Sequence, residues 1–238
     1  MSTATEPGGQ LVLPSERGVA QARRLALPLF NRWYRLSVAG ARNIPAAGPV
    51  IIAGNHLGLL DGPLMVLAAP RPVHALAKSE LFAPPLNRVL GATGQIPIRY
   101  EAPDRRAIAV SLQLLRRGRA LGIFPEAHRG TGDVSTIRHG VGYLALVTGA
   151  PVVPMAILGT RLPGMGKDGF PPRGSRLHVT YGRPFALSTT GDVARRSVIA
   201  AAAESIRQQL HDLVVDTCRE TGQELPGPLP NGKQDSDD

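Results

Sequence analysis

Residues 49–67 read PVIIAGNHLGLLDGPLMVL, and the fold turns on how that run is divided. Val50, Ile51 and Ile52 make a short apolar run that predicts a buried strand, Gly54-Asn55 ends it, and a second apolar run begins after Asp61. His56 stands five residues before Asp61. In an extended segment their side chains would lie roughly 16 Å apart at about 3.3 Å per residue. On a regular helix a separation of five turns them about 140° apart. Neither regular state joins them, but a tight turn can. Gly58 tolerates the φ values such a turn demands, and Asp61 followed by Gly62-Pro63 has the form of a helix N-cap with proline in the first turn. His56 is therefore expected on the turn leaving a strand, with Asp61 folding back to its imidazole.

Working outward, the same alternation of strand and helix continues. Val73–Ala77 and Ala120–Phe124 predict further buried strands, and Val152–Leu158 another, interrupted by Pro154. Gly94–Arg99 (GQIPIR) predicts an edge strand because Pro97 cannot donate to a central ladder. Asp104 is placed to cap a helix to about Arg117 with Ile108, Leu112 and Leu115 on one face, Gly140–Val147 forms another, and Asp192 to about Glu220 a long one. Leu36–Ala39 and Arg176–Tyr181 complete the strands, and Gly159–Gly174 is a Gly/Pro-rich loop long enough to cover a pocket. The expected fold is α/β: a mostly parallel central sheet flanked by helices, with reactive residues on loops leaving strand ends. One domain is expected over residues 17–221, with disordered segments at 1–16 and 222–238.

Residues 17–36 form an amphipathic helix in which Ala22, Leu25, Leu29, Trp33 and Leu36 recur at helical spacing among Arg24, Arg32 and Arg35. It has two readings: a helix lying on an anionic membrane surface, or one packed on the core with a solvated arginine face.

Composition narrows the partners. The net charge is +9, and of 27 basic residues all but Lys78, Lys167 and Lys233 are arginine. Arginine favours bidentate contacts to phosphates and carboxylates, although the bias equally fits genome composition. Aromatic residues are only 4%, which argues against a base-stacking surface and so against nucleic acid. Cys218 is the single cysteine, excluding an internal disulfide and fitting a reducing compartment. Neither a signal-peptide core nor an apolar run of spanning length is present, so any membrane contact is expected to be peripheral.

A neutral imidazole can take a proton from a hydroxyl, and a carboxylate on its other nitrogen fixes the tautomer. No G-x-S-x-G elbow accompanies His56, so the hydroxyl is assigned to a substrate. Taken alone, the pair equally describes a buried, satisfied histidine beside an ordinary N-cap aspartate. The six histidines show no zinc-ligand spacing, and no metal or cofactor is expected. A second cluster, Phe124–Arg129 (FPEAHR), puts Glu126 and Arg129 after a buried strand, where they suit a hydroxylated phosphate or form only a surface ion pair.

Four segments, NHLGLLD (55–61), GQIPIR (94–99), FPEAHR (124–129) and VVPMAI (152–157), resemble in order and spacing the four blocks of the glycerolipid acyltransferase family, which includes bacterial 1-acylglycerol-3-phosphate acyltransferases. The resemblance covers roughly Leu36 to Tyr181. It implies acyl transfer from acyl-CoA or acyl-carrier protein to a lysophospholipid hydroxyl at the inner face of the cell membrane, in the cytoplasm. His56 would be the general base oriented by Asp61, with Lys78, Arg99, Glu126 and Arg129 binding substrate. Four positions depart from the family pattern: Gly58 replaces a serine, Tyr100 stands where an arginine is usual, and Ala127-His128 replaces Gly-Thr. The last departure bears most on the acceptor headgroup, leaving another lysophospholipid or an amino-lipid as the alternative. A non-enzymatic lipid- or nucleic-acid-binding protein is the third reading.

Overall fold

The computed structural model describes residues 13–100, 102–188, 191–193 and 195–230. Its first half contains α1 (Glu16–Trp33), β1 (Arg35–Ala39), β2 (Val50–Gly54), α2 (Asp61–Leu67), β3 (Val73–Lys78), α3 (Leu86–Ala92) and β4 (Ile96–Ile98). The second contains α4 (Arg105–Arg116), β5 (Ala120–Ile123), α5 (Gly140–Thr148), β6 (Val152–Leu158), β7 (Arg176–Tyr181) and α6 (Arg196–Thr221).

The strands form one seven-stranded sheet in the order β1-β7-β6-β2-β5-β3-β4. From β6 to β4 every pairing is parallel. The exception is β7, antiparallel to β6 and parallel to β1. Its direction follows from its connection: residues 159–175 contain no helix to carry the chain back across the sheet, so β7 returns alongside β6. Pro154 does not interrupt β6, because the ladder to β7 ends at Met155 and leaves Pro154 outside it.

Strand β2 lies at the centre, buried throughout. Its side chains alternate between two apolar layers: Val50 and Ile52 pack with Leu64, Met65 and Val73, and Ile51 and Ala53 with Leu114, Leu144 and Ile206. Burial on both faces explains the unbroken apolar run. In α4 the buried face is Ala107, Val110, Ser111, Leu114 and Leu115, whereas Ile108 and Leu112 lie half-buried at its margin. Asp104 caps that helix through the N–H groups of Arg106 and Ala107.

Helix α1 packs on the body with one side and leaves an apolar stripe exposed on the other. Its inner side carries buried Val19 and Phe30, which packs on the core, while Arg23 donates to the carbonyls of Leu67 and Pro70 beyond α2. The outer side carries Leu25, Leu29 and Trp33, 78%, 58% and 44% exposed. The helix is thus apolar on two sides, and Leu36 has left it for β1. Residues 1–12 and 231–238 lie outside the described residues. Residues 222–230, expected as the start of a tail, lie along the body: Gly227 accepts a hydrogen bond from Arg161, and Gln223 donates to Arg176.

Helices α5 and α6 approach closely at Gly142, where an added Cβ would come within 2.7 Å of the Ile199 carbonyl oxygen and 2.8 Å of the Ala203 nitrogen. Helix propensity alone favours alanine there by about 1 kcal/mol. Because backbone atoms block the methyl group, Gly142→Ala is expected instead to destabilise the protein by about 1–3 kcal/mol in urea denaturation.

Candidate active site

Because β6, β2 and β5 are adjacent and parallel, their C-terminal ends emerge together, and the segments after them converge. Asn55, fully buried, fastens the end of β2 to β6: its Oδ1 accepts from the Ile157 N–H at 2.7 Å and its Nδ2 donates to the Ile157 carbonyl at 3.1 Å.

The chain then turns, and His56 and Asp61 meet. His56 Nδ1 lies 2.8 Å from Asp61 Oδ2, and the same oxygen accepts the N–H groups of Leu57 at 2.6 Å and Gly58 at 2.8 Å. Asp61 is therefore the first residue of α2 rather than its N-cap, and its side chain satisfies the turn behind it. With Nδ1–H donated to a carboxylate, Nε2 is left as the acceptor nitrogen of the neutral ring. The ring stacks on Phe124 at 4.2 Å between centroids, and its side chain is 18% exposed. Gly58 is needed for space: a Cβ there would fall 2.8 Å from the Thr160 carbonyl oxygen, and its φ lies outside the left-handed region. A serine would require that loop to move.

Glu126, expected to face substrate, turns toward the protein. Its Oε1 accepts the His56 N–H at 2.9 Å, and the carboxylate also accepts from the Val134 N–H. Burial, with Asp133 and Asp61 nearby, pushes its pKa up to about 7 against the two backbone hydrogen bonds. Ala127, at the family's glycine position, has φ 65°, so the turn demands the left-handed conformation that glycine adopts freely and alanine at a cost of roughly 1–2 kcal/mol.

Arg129 reaches the β6–β7 loop, its Nη1 donating to the Lys167 carbonyl at 2.9 Å and to Asp168 Oδ1 at 2.8 Å. Asp168 is 69% exposed, so this pair is worth at most about 1 kcal/mol.

Lys78 and Arg99 stand farther out. Lys78 closes β3, two strands from β2 or roughly 10 Å across the ladder at about 4.8 Å per strand. Arg99 follows edge strand β4, is 71% exposed, and lies 3.8 Å from Asp104. Tyr100, also beyond the end of β4, is the residue that turns inward. Its ring lies 6.2 Å from that of His128, with the Arg138 guanidinium 6.0 Å from its centroid. The departures at Tyr100 and His128 thus lie together.

Sequence reasoning missed Arg161. It is 1% exposed and donates to the carbonyls of Leu57 at 3.2 Å, Gly130 at 2.7 Å, Gly227 at 2.7 Å and Met165 at 3.3 Å. Nothing local marks an arginine in a Gly/Pro-rich loop as interior.

A model of the family described as Acyltransferase matches residues 35–158. A 1-acyl-sn-glycerol-3-phosphate acyltransferase of Bacillus subtilis is 29% identical over 183 residues, 75% of this chain and 87% of the relative. One from Borreliella burgdorferi is 33% identical over 140 residues, 57% of this chain and 56% of that protein. The crystal structure of the 1-acyl-sn-glycerophosphate acyltransferase PlsC from Thermotoga maritima has the same fold, with a TM-score of 0.59 and 22% identity over 82% of this chain and 79% of that one.

The raised Glu126 pKa has a consequence for stability. A carboxyl near 4.5 in the unfolded chain and about 7 in the folded one contributes stability fully present below pH 4.5 and lost as pH rises through 7. Glu126→Gln does not titrate. Relative to wild type, the variant is therefore expected to gain melting temperature from pH 5 to pH 8, as checked by scanning calorimetry.

Proposed function

The chain belongs to the acyltransferase family, and on that premise we propose that it moves a fatty acyl group from acyl-CoA or acyl-carrier protein to the free hydroxyl of 1-acylglycerol-3-phosphate, giving phosphatidic acid. The observation that carries the mechanism is the His56–Asp61 pair, held at a central strand end with Nε2 available as an acceptor.

His56 Nε2 takes the proton as the acceptor oxygen attacks the thioester carbonyl. Collapse of the tetrahedral intermediate forms the new ester, and the departing thiolate takes the proton back from the imidazolium as the free thiol. Asp61 holds the ring and stabilises its cationic form. No metal or cofactor enters these steps, and the thioester is a co-substrate. Similarity to two 1-acyl-sn-glycerol-3-phosphate acyltransferases supports the phosphate-bearing acceptor. Arg129 suits its phosphate, because the exposed Asp168 contact is weak enough for a phosphate to replace. Glu126 acts through the His56 backbone in this reading. Lys78 and Arg99 are left as outer basic groups on the same edge.

A second reading, a different lysophospholipid or amino-lipid acceptor, is favoured by the Tyr100–His128–Arg138 cluster. Free CoA release with a panel of acceptors separates the two. With 1-acylglycerol-3-phosphate, His56→Ala is expected to lower kcat about 10²- to 10⁴-fold. Arg129→Ala should mainly raise KM for phosphate-bearing acceptors. Equal turnover of phosphate-free acceptors would favour the second reading, and undiminished turnover by His56→Ala would rule out the mechanism.

The lysophospholipid acceptor resides at a bilayer surface, and no helix among the described residues is long and apolar enough to cross a membrane. The exposed Leu25, Leu29 and Trp33, flanked by Arg24 and Arg32, support a reading of shallow, peripheral docking on anionic lipid at the inner face of the cell membrane. Leu25→Glu/Leu29→Glu is expected to abolish co-sedimentation with anionic vesicles, and unchanged binding would reject this docking face.

A further inference from the structure

Three adjacent strand ends build the site, and the reaction described above uses two of them. β2 supplies His56 and β5 supplies Glu126. The third, β6, supplies Arg161, three residues beyond Leu158. Burying a guanidinium costs several kcal/mol, and this one is spent on backbone carbonyls from four places.

Two of those carbonyls flank the base. Leu57 follows His56, and its N–H donates to Asp61. Gly130 donates its N–H to the His56 carbonyl at 3.0 Å. The guanidinium therefore holds two groups beside His56: the Leu57 carbonyl, and the Gly130 peptide whose N–H meets the His56 carbonyl. Its charge also attracts Asp61, which offsets part of the lowering that burial imposes on Arg161. A third carbonyl, of Gly227, belongs to the segment after α6, so the chain beyond the last helix is tied to the same point.

We infer that Arg161 is a positioning residue for acyl transfer: it clamps the turn that carries His56 and Asp61 against the loop after β5, and makes the segment around Gly227 part of that support. The inference rests on the assignment of His56 as base. It accounts for a full guanidinium here, since the fork reaches Leu57, Gly130 and Gly227 at once, whereas an ammonium group on a lysine stem is a single point.

The test compares full-length wild type, Arg161→Lys and Arg161→Met. The readouts are kcat and KM with acyl-CoA and 1-acylglycerol-3-phosphate, the melting temperature, and the downfield proton resonance of the His56 Nδ1–H held by Asp61 in substrate-free protein. A 1 Å misplacement at a catalytic group costs on the order of 10²-fold, so kcat should fall about 10²-fold in Arg161→Met and about tenfold in Arg161→Lys, with KM within about twofold. The resonance should broaden or vanish in folded Arg161→Met. Wild-type kcat and an unchanged resonance in that variant would overturn the inference. So would wild-type behaviour of Arg161→Lys beside an unfolded Arg161→Met, or unfolding of both, since either pattern leaves only a stability role. The resonance is read without substrate, so a wild type that transfers no acyl group would reject the reaction while still reporting the hold of Arg161 on His56.

Discussion

One carboxylate oxygen, Asp61 Oδ2, collects three N–H groups within a single turn, from His56 Nδ1, Leu57 and Gly58. The rest of the site depends on it. Asp61 is fully buried, and three N–H hydrogen bonds take the place of water at Oδ2 while Oδ1 has no hydrogen-bond partner among the described residues. Those same bonds close the turn between β2 and α2 and orient the imidazole. Orientation of the imidazole and closure of the loop are thus coupled, and a change that loosens either loosens both.

Around that turn, backbone groups are satisfied by side chains from neighbouring strand ends. Asn55 takes both polar groups of Ile157, Glu126 takes the His56 N–H, and Arg161 takes the carbonyls of Leu57 and Gly130. Irregular backbone at the buried end of a sheet has no ladder partner, and each unpaired group would cost about 1–3 kcal/mol. Polar residues that look like chemistry in the sequence are therefore partly architecture. Glu126 is the clearest case, its carboxylate directed at a backbone amide.

The outer side of the site is held more loosely. Arg129 is fastened to the β6–β7 loop by an exposed partner, and that loop also meets α1. Gly174 donates to the Trp33 carbonyl at 2.7 Å, and the Arg173 guanidinium lies 4.4 Å over the Trp33 ring. The exposed apolar stripe of α1 and Arg129 are therefore connected through one loop.

Much of this was legible in the chain itself. Unbroken apolar runs mark strands buried on both faces, glycines and Asp104 mark helix ends, and the five-residue spacing of His56 and Asp61 is closed only by a turn. These are local constraints, and local physics determines them. What tertiary structure alone decided are relations between distant segments. The direction of Glu126 depends on β5 lying beside β2, the exposure of Leu25, Leu29 and Trp33 on which side of a doubly apolar α1 met the sheet, and the outward turn of Arg99 on Asp104 being close to it. The burial of Arg161 depends on three strand ends and the segment after α6 meeting at one point. A residue's own sequence neighbours carry no record of such neighbours in space, so the His56–Asp61 contact was readable in advance and the groups that hold it in place were not.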